Sequence, residues 1–151
     1  MDNSDIFICI DHVGYAVLNL DDAIEFHTKK LGWRLLHRET NEEQGVEEAM
    51  LGTSEQLPQS AQVQLLAPLN DSSTIAKWIA NNGGKGGIQQ VCYRVADIDK
   101  ASEQLRSAGV RLLYTEPKIG TGGSRIQFAH PKDTGGILLE IVEPVAGGHH
   151  A

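Results

Sequence analysis

His12, Gln64, Gln90 and Glu140 are the side chains best placed for chemistry in this chain, because the sequence says nearly the same thing twice and sets them at matched positions. Ile10-Asp11-His12-Val13-Gly14-Tyr15-Ala16-Val17 returns as Ile88-Gln89-Gln90-Val91-Cys92-Tyr93-Arg94-Val95, and Leu20, Asp21 and Ala23 return as Ile98, Asp99 and Ala101. One residue is then lost from the second copy, so that Gly32-Trp33-Arg34-Leu35-Leu36 answers to Gly109-Val110-Arg111-Leu112-Leu113. Further on, Gln64-Leu65-Leu66-Ala67-Pro68 pairs with Glu140-Ile141-Val142-Glu143-Pro144. The repeat makes His12 equivalent to Gln90, and Gln64 equivalent to Glu140. An imidazole, a carboxylate and two amides can together ligate a divalent cation or bind a polar ligand. Two copies make a duplicated module and not a solenoid, which needs at least three.

The elements that must carry these residues follow the same repeat. Each copy reads strand, helix, then three strands. In the first, residues 7–17 are apolar and β-rich, and Asp21 can cap a helix running to about Leu31, which Gly32 stops. Strands are predicted at 33–40, 46–52 and 61–67, and Asp71-Ser72-Ser73 opens a second helical stretch to about Ala80. The second copy has a predicted helix at 97–108 and strands at 110–114, 124–130 and 137–143. Residues 6–80 and 88–144 are thus expected to be two βαβββ modules, joined by the Gly-rich linker 81–87 and followed by a flexible tail at 145–151. The linker is no phosphate loop, since its Lys85 precedes Gly and no helix follows. On a strand, alternate side chains share a face, so His12 goes with Ile10 and Gly14, and Gln90 with Cys92 and Arg94. If two β-rich modules close about a pseudo-twofold axis, the four side chains meet in one cavity.

Composition narrows the function classes. A chain of 151 residues with 40% hydrophobic content fits one domain, or two small modules sharing a core. Thirteen basic against 20 acidic residues give a net charge of −7, which argues against nucleic acid and anionic membrane surfaces as partners. No apolar run approaches a membrane span and the acidic start lacks the form of a signal peptide, so a soluble cytoplasmic protein is expected. Cys9 and Cys92 lie inside apolar strand-like segments and read as ordinary buried thiols.

Several segments carry a more specific signal: Ile10-Asp11-His12-Val13-Gly14, Asn41-Glu42-Glu43-Gln44-Gly45-Val46, Val63-Gln64-Leu65-Leu66-Ala67-Pro68-Leu69, Ala76-Lys77-Trp78, the run from Tyr114 to Gly123, and His130-Pro131-Lys132 followed by Gly136-Ile137-Leu138-Leu139-Glu140. Together they resemble the methylmalonyl-CoA epimerases, a family of the vicinal oxygen chelate superfamily, which also contains glyoxalase I. The resemblance covers about residues 6–144. It implies an α+β fold of two tandem βαβββ modules forming a pseudo-twofold, eight-stranded cupped sheet. It also implies a divalent metal, Co, Mn or Mg, held by ligands that match His12, Gln64, Gln90 and Glu140, with a catalytic carboxylate at Glu48 and a homodimeric assembly. Where the family typically carries a His-His pair, this chain has Gln89-Gln90. An amide oxygen is a weaker ligand for first-row transition metals than an imidazole, so weaker binding and a shift toward hard cations are expected.

The reaction the resemblance implies is interconversion of the two epimers of methylmalonyl-CoA through α-proton abstraction and reprotonation. Glu48 is the expected base, and Glu140 is expected both as a metal ligand and as a group serving the opposite face. Gln44, Lys77, Gly120, Thr121, Gly122, Gly123 and Ser124 are expected to hold the acyl-CoA. Each residue also has a plainer reading. A strand histidine such as His12 is often structural, Glu47-Glu48 can be a solvated pair, and Gln89 and Gln90 can merely close hydrogen bonds. Glu140, within Leu138-Leu139-Glu140-Ile141-Val142, is harder to explain that way, because an unpaired buried carboxylate is costly. His27, His37 and His130 read as peripheral. Two other functions fit the same scaffold: a glyoxalase-type isomerase or lyase, and a metal-free ligand-binding member of the superfamily.

Overall fold

The computed structural model describes residues 6–53 and 61–145. These form two compact units, one of residues 13–89 and the other of residues 6–12 with 90–145. Strand β1 (Phe7–Ala16) contributes to both, as does β5 (Gly87–Val95).

In the unit of residues 13–89, helix α1 (Leu20–Glu25) follows β1, then strands β2 (Arg34–Asn41), β3 (Val46–Gly52) and β4 (Gln62–Pro68), and helix α2 (Thr74–Asn81). β2 pairs antiparallel with β3, and β3 with β4. Alternation sends Ala49 and Leu51 of β3, with Val63, Leu65 and Ala67 of β4, into a core that packs against Leu20, Ile24 and Trp33. Val46 and Leu66 join Ile75 and Ile79 of α2 in a second cluster. The helix cap is Asn19 and not Asp21: its Oδ1 accepts from the Asp22 N–H at 2.9 Å, two residues earlier than the sequence suggests. Ser73 caps α2 in the same way, accepting from the Ala76 N–H at 3.1 Å. After Glu25 the helix widens into a π turn at Phe26–Lys30. There the Thr28 hydroxyl donates to Ile24 O, and His27 Nδ1 sits 2.9 Å from Ala23 O. His27 is buried in a cluster with Tyr15, Phe26 and Trp33 and has a packing role.

In the other unit, the beginning of β1 lies beside β5, with the Ala96 N–H donating to Ile6 O at 3.1 Å. Helix α3 (Ile98–Ser107) follows, capped by Asp97, and then strands β6 (Lys118–Ile119), β7 (Arg125–Ala129) and β8 (Leu138–Glu143). Their order is β5-β8-β7-β6, with β5 parallel to β8 and the other pairs antiparallel. Ile6, Val95, Ile98, Ala101 and Ile141 form the core of this unit. The strand expected at 110–114 is reduced to a single bridge, Leu112 to Ala129. The Leu113 N–H donates to Phe128 O at 2.9 Å and the His130 N–H to Arg111 O at 2.8 Å, and at Tyr114 a side chain takes over. Buried Gln127 accepts from the Tyr114 N–H at 3.0 Å and donates to Tyr114 O at 2.9 Å, so its amide stands in for a strand backbone. The two-residue β6, after Pro117, was not expected.

Among the described residues, eight strands and three α-helices have the α+β composition expected from the sequence. None of the helices among the described residues is long and apolar enough to cross a membrane. Of the expected tail, 146–151 lies outside the described residues.

Candidate active site

Each unit buries a glutamate held by a glutamine. In the unit of residues 13–89, Glu48 lies on the face of β3 opposite Ala49 and Leu51 and is 6% exposed, while its neighbour Glu47 is half-buried. Strand alternation thus turns inward just one of the two acidic residues. Gln64 on β4 is also buried, and its Nε2 donates to Glu48 Oε2 at 3.1 Å. A carboxylate only accepts, so the amide nitrogen must face it. The bond engages Nε2 and not Oε1, the atom a metal would take.

The other unit gathers His12, Gln90 and Glu140. Gln90 Nε2 donates to Glu140 Oε1 at 3.1 Å, and His12 Nε2 lies 3.2 Å from the same oxygen. All three residues are buried. His12 Nδ1 stands 2.8 Å from Asp11 Oδ2, and since that oxygen can only accept, Nδ1 carries the proton. Burial works to strip His12 of its charge. The hydrogen bonds to Asp11 and Glu140, with the charges of both, outweigh it and hold the imidazole's pKa up at about 9.

Asp11 and Arg94 were not expected here. Arg94 Nε donates to Asp11 Oδ1 at 2.8 Å, and both side chains are essentially buried. The sequence held a signal for them: Asp11 interrupts an apolar strand, and Arg94 falls where the first copy has Ala16. Cys92 is a buried thiol as expected. Its sulfur lies within 4.8 Å of the ligating atoms of Asp11 and His12. Burial pushes that thiol well up, and the charges of Glu140 and Asp11 push the same way.

These residues suit a divalent cation. With its pKa held up at about 9, His12 carries a proton on Nδ1 toward Asp11 and another on Nε2 toward Glu140 Oε1, and a divalent cation would take the place of the Nε2 proton. Two acceptors that close require a proton or a metal between them.

The remaining expected positions lie apart along the chain. Gln44 is exposed in the β2–β3 turn, its N–H donating to Asn41 Oδ1, and Lys77 is exposed on α2. Gly120, Thr121, Gly122, Gly123 and Ser124 form the β6–β7 connection. Gly122 and Gly123 have φ of 67° and 83° there, values that favour glycine, and the buried Ser124 hydroxyl donates to Thr121 O at 2.8 Å. His37 pairs with Glu39 at 2.8 Å, and His130 accepts from the Lys132 N–H at 3.1 Å, so each is engaged by a neighbour close in the chain.

Residues 11–128 match the glyoxalase/bleomycin resistance protein/dioxygenase superfamily, the class to which the fold and the buried ligand set point. An ethylmalonyl-CoA/methylmalonyl-CoA epimerase of Cereibacter sphaeroides is 36% identical over 133 residues, 87% of this chain and 95% of that protein. The methylmalonyl-CoA epimerase of Mycobacterium tuberculosis has a crystal structure that matches with a TM-score of 0.86 at 48% identity, over 96% of this chain and 93% of its own. A methylmalonyl-CoA epimerase in complex with methylmalonyl-CoA and NH4+ matches with a TM-score of 0.85 at 41% identity, over 95% and 99% of the two chains. The chain belongs to this superfamily and, within it, to the methylmalonyl-CoA epimerase family.

Proposed function

We propose that the protein interconverts the epimers of methylmalonyl-CoA by removing and returning the proton between the thioester and carboxylate groups. Such a proton is weakly acidic, so the reaction needs a positioned base and a means of stabilising the enolate that forms. Family membership supports the substrate, and the relative in complex with methylmalonyl-CoA supports an acyl-CoA ligand. The observation that carries the reading is the Gln64–Glu48 contact: a buried carboxylate, kept in place by a neutral amide, is built to exchange a proton.

Glu48 is assigned the base, and Gln64 orients it. Glu140, gripped by Gln90 and facing His12, supplies the second carboxylate that a two-faced proton exchange requires. His12 Nε2, Glu140 and the Gln90 amide oxygen would hold a divalent cation, whose chemistry when bound is to stabilise negative charge on the enolate oxygen as a Lewis acid. Hard cations such as Mg or Mn suit this oxygen-rich set best. The glycine-rich connection 120–123 with Ser124, and Gln44 and Lys77, are assigned to the acyl-CoA. A homodimer in the cytoplasm is the proposed working form.

The test is hydrogen exchange at the α-carbon of methylmalonyl-CoA in deuterated water, with and without added Co, Mn or Mg. Exchange at an enzymatic rate is expected. A protein that binds methylmalonyl-CoA but exchanges no proton under any metal condition is a binding protein, and the reading fails.

A further inference from the structure

Asp11 and Arg94 form a buried ion pair that the epimerisation chemistry does not itself require. Arg94 Nε binds Asp11 Oδ1 at 2.8 Å, and the other oxygen of the same carboxylate, Oδ2, meets His12 Nδ1 at 2.8 Å. Each oxygen has its own donor, so the carboxylate plane is fixed from both ends. A fixed carboxylate in turn fixes the imidazole, since Nδ1 is tied and Nε2 then points to Glu140 Oε1 at 3.2 Å.

We propose that Asp11 and Arg94 are positioning residues: Arg94 locks the Asp11 carboxylate, which holds His12 with its proton on Nδ1 and its Nε2 turned toward Glu140 as a ligating atom. This rests on the reading of His12 as a metal ligand. Carboxylates that accept the second N–H of a ligating histidine set its tautomer and orientation, and losing them weakens metal binding by about 10- to 100-fold.

A purely structural salt bridge accounts for less. Buried ion pairs contribute little net stability over an apolar replacement, so stability alone is a weak reason to keep one. The repeat sharpens this point. Asp11 of the first copy answers to Gln89 in the second, and Arg94 of the second answers to Ala16 in the first, neither of them charged. The repeated fold therefore does not require a pair at these positions. What sets the two copies apart is that the Asp11 copy carries the imidazole, whereas the equivalent of His12 is the amide Gln90. The ion pair is present where a histidine needs a fixed tautomer.

The variants Asp11→Asn, Arg94→Met and Arg94→Lys test this. An asparagine amide has one acceptor and one donor where the carboxylate has two acceptors, so it cannot serve Arg94 and His12 together. In the metal-free parent, NMR of protein with 15N-labelled histidine should show a downfield, exchange-protected Nδ1 proton on His12. That proton should be lost or broadened in Asp11→Asn and Arg94→Met and kept in Arg94→Lys, with circular dichroism unchanged. Isothermal titration should find Co2+ binding weakened about 10- to 100-fold in Asp11→Asn and Arg94→Met, and largely rescued in Arg94→Lys. Proton exchange should lose kcat with little change in KM.

Two outcomes overturn the proposal. One is a parent His12 that carries its proton on Nε2 alone, a result that needs no variant to fold. The other is Asp11→Asn with the parent's Nδ1 signal and the parent's Co2+ affinity. If the parent itself binds no divalent cation, the ligand role of His12 fails, and the NMR comparison still decides whether Asp11 and Arg94 position the ring.

Discussion

Gln90 and Glu140 meet within a parallel strand pair, the amide nitrogen 3.1 Å from Oε1 of the carboxylate, at a position where the family resemblance implies an imidazole. Replacing the amide with a stronger ligand should therefore strengthen the site. Gln90→His is expected to tighten Co2+ binding by about tenfold or more, because imidazole is the better donor for first-row transition metals. Metal titration of parent and variant reads the difference, and equal affinities would remove Gln90 from the ligand set.

Glu48→Gln separates base from ligand. The variant keeps the size of the side chain and its contact with Gln64, and it loses basicity. Exchange of the α-proton should fall by about 10²-fold or more while metal content and melting temperature hold. A variant that exchanges as fast as the parent means that another group is the base.

Glu140→Gln should behave differently. This substitution removes the carboxylate facing His12 and Gln90, so it should weaken metal binding and slow exchange together. Undiminished Co2+ affinity would show that Glu140 is no ligand.

Arg111 and Asp133 give a pH test away from the site. Side-chain and backbone hydrogen bonds from Arg111 hold Asp133 down at about 2, against an ordinary 3.8. A depressed carboxylate stabilises the fold above its ordinary pKa, and that contribution is lost as pH falls toward 2. Urea midpoints should accordingly drop more between pH 4 and pH 2 in the parent than in Asp133→Asn. The effect is small because the pair is exposed. Parallel pH profiles would dismiss it.

The positions of His12, Gln64, Gln90 and Glu140 could be read from the repeat, because matched strands carry matched registers. Glu48 came from the resemblance, since alternation alone says only that one member of the Glu47-Glu48 pair turns inward. Asp11 was not legible, since alternation sends it away from the face of its neighbour His12 and a strand pattern does not show that a short carboxylate can still reach Nδ1. The strand expected at 110–114 failed for a related reason. Its apolar run looks regular, but backbone pairing with β7 is confined to the bonds around Leu112, and at Tyr114 the amide of Gln127 takes the place of a strand partner, which periodicity cannot foresee. Thr28 and His27, reaching back to carbonyls one turn earlier, likewise gave no warning of the π turn.

That π turn sits where the two copies differ in length. Leu20–Lys30 in the first copy answers to Ile98–Ser107 in the second and is one residue longer, which is the residue the repeat drops between Ala23 and Gly32. The wider i→i+5 bonding of a π turn holds one more residue than the α-helical turn it replaces. The two copies have therefore drifted apart in length while β2 kept its place against β3. The extra residue is taken up inside the helix, and β2, β3 and β4, which carry Glu48 and Gln64, pair antiparallel beyond it.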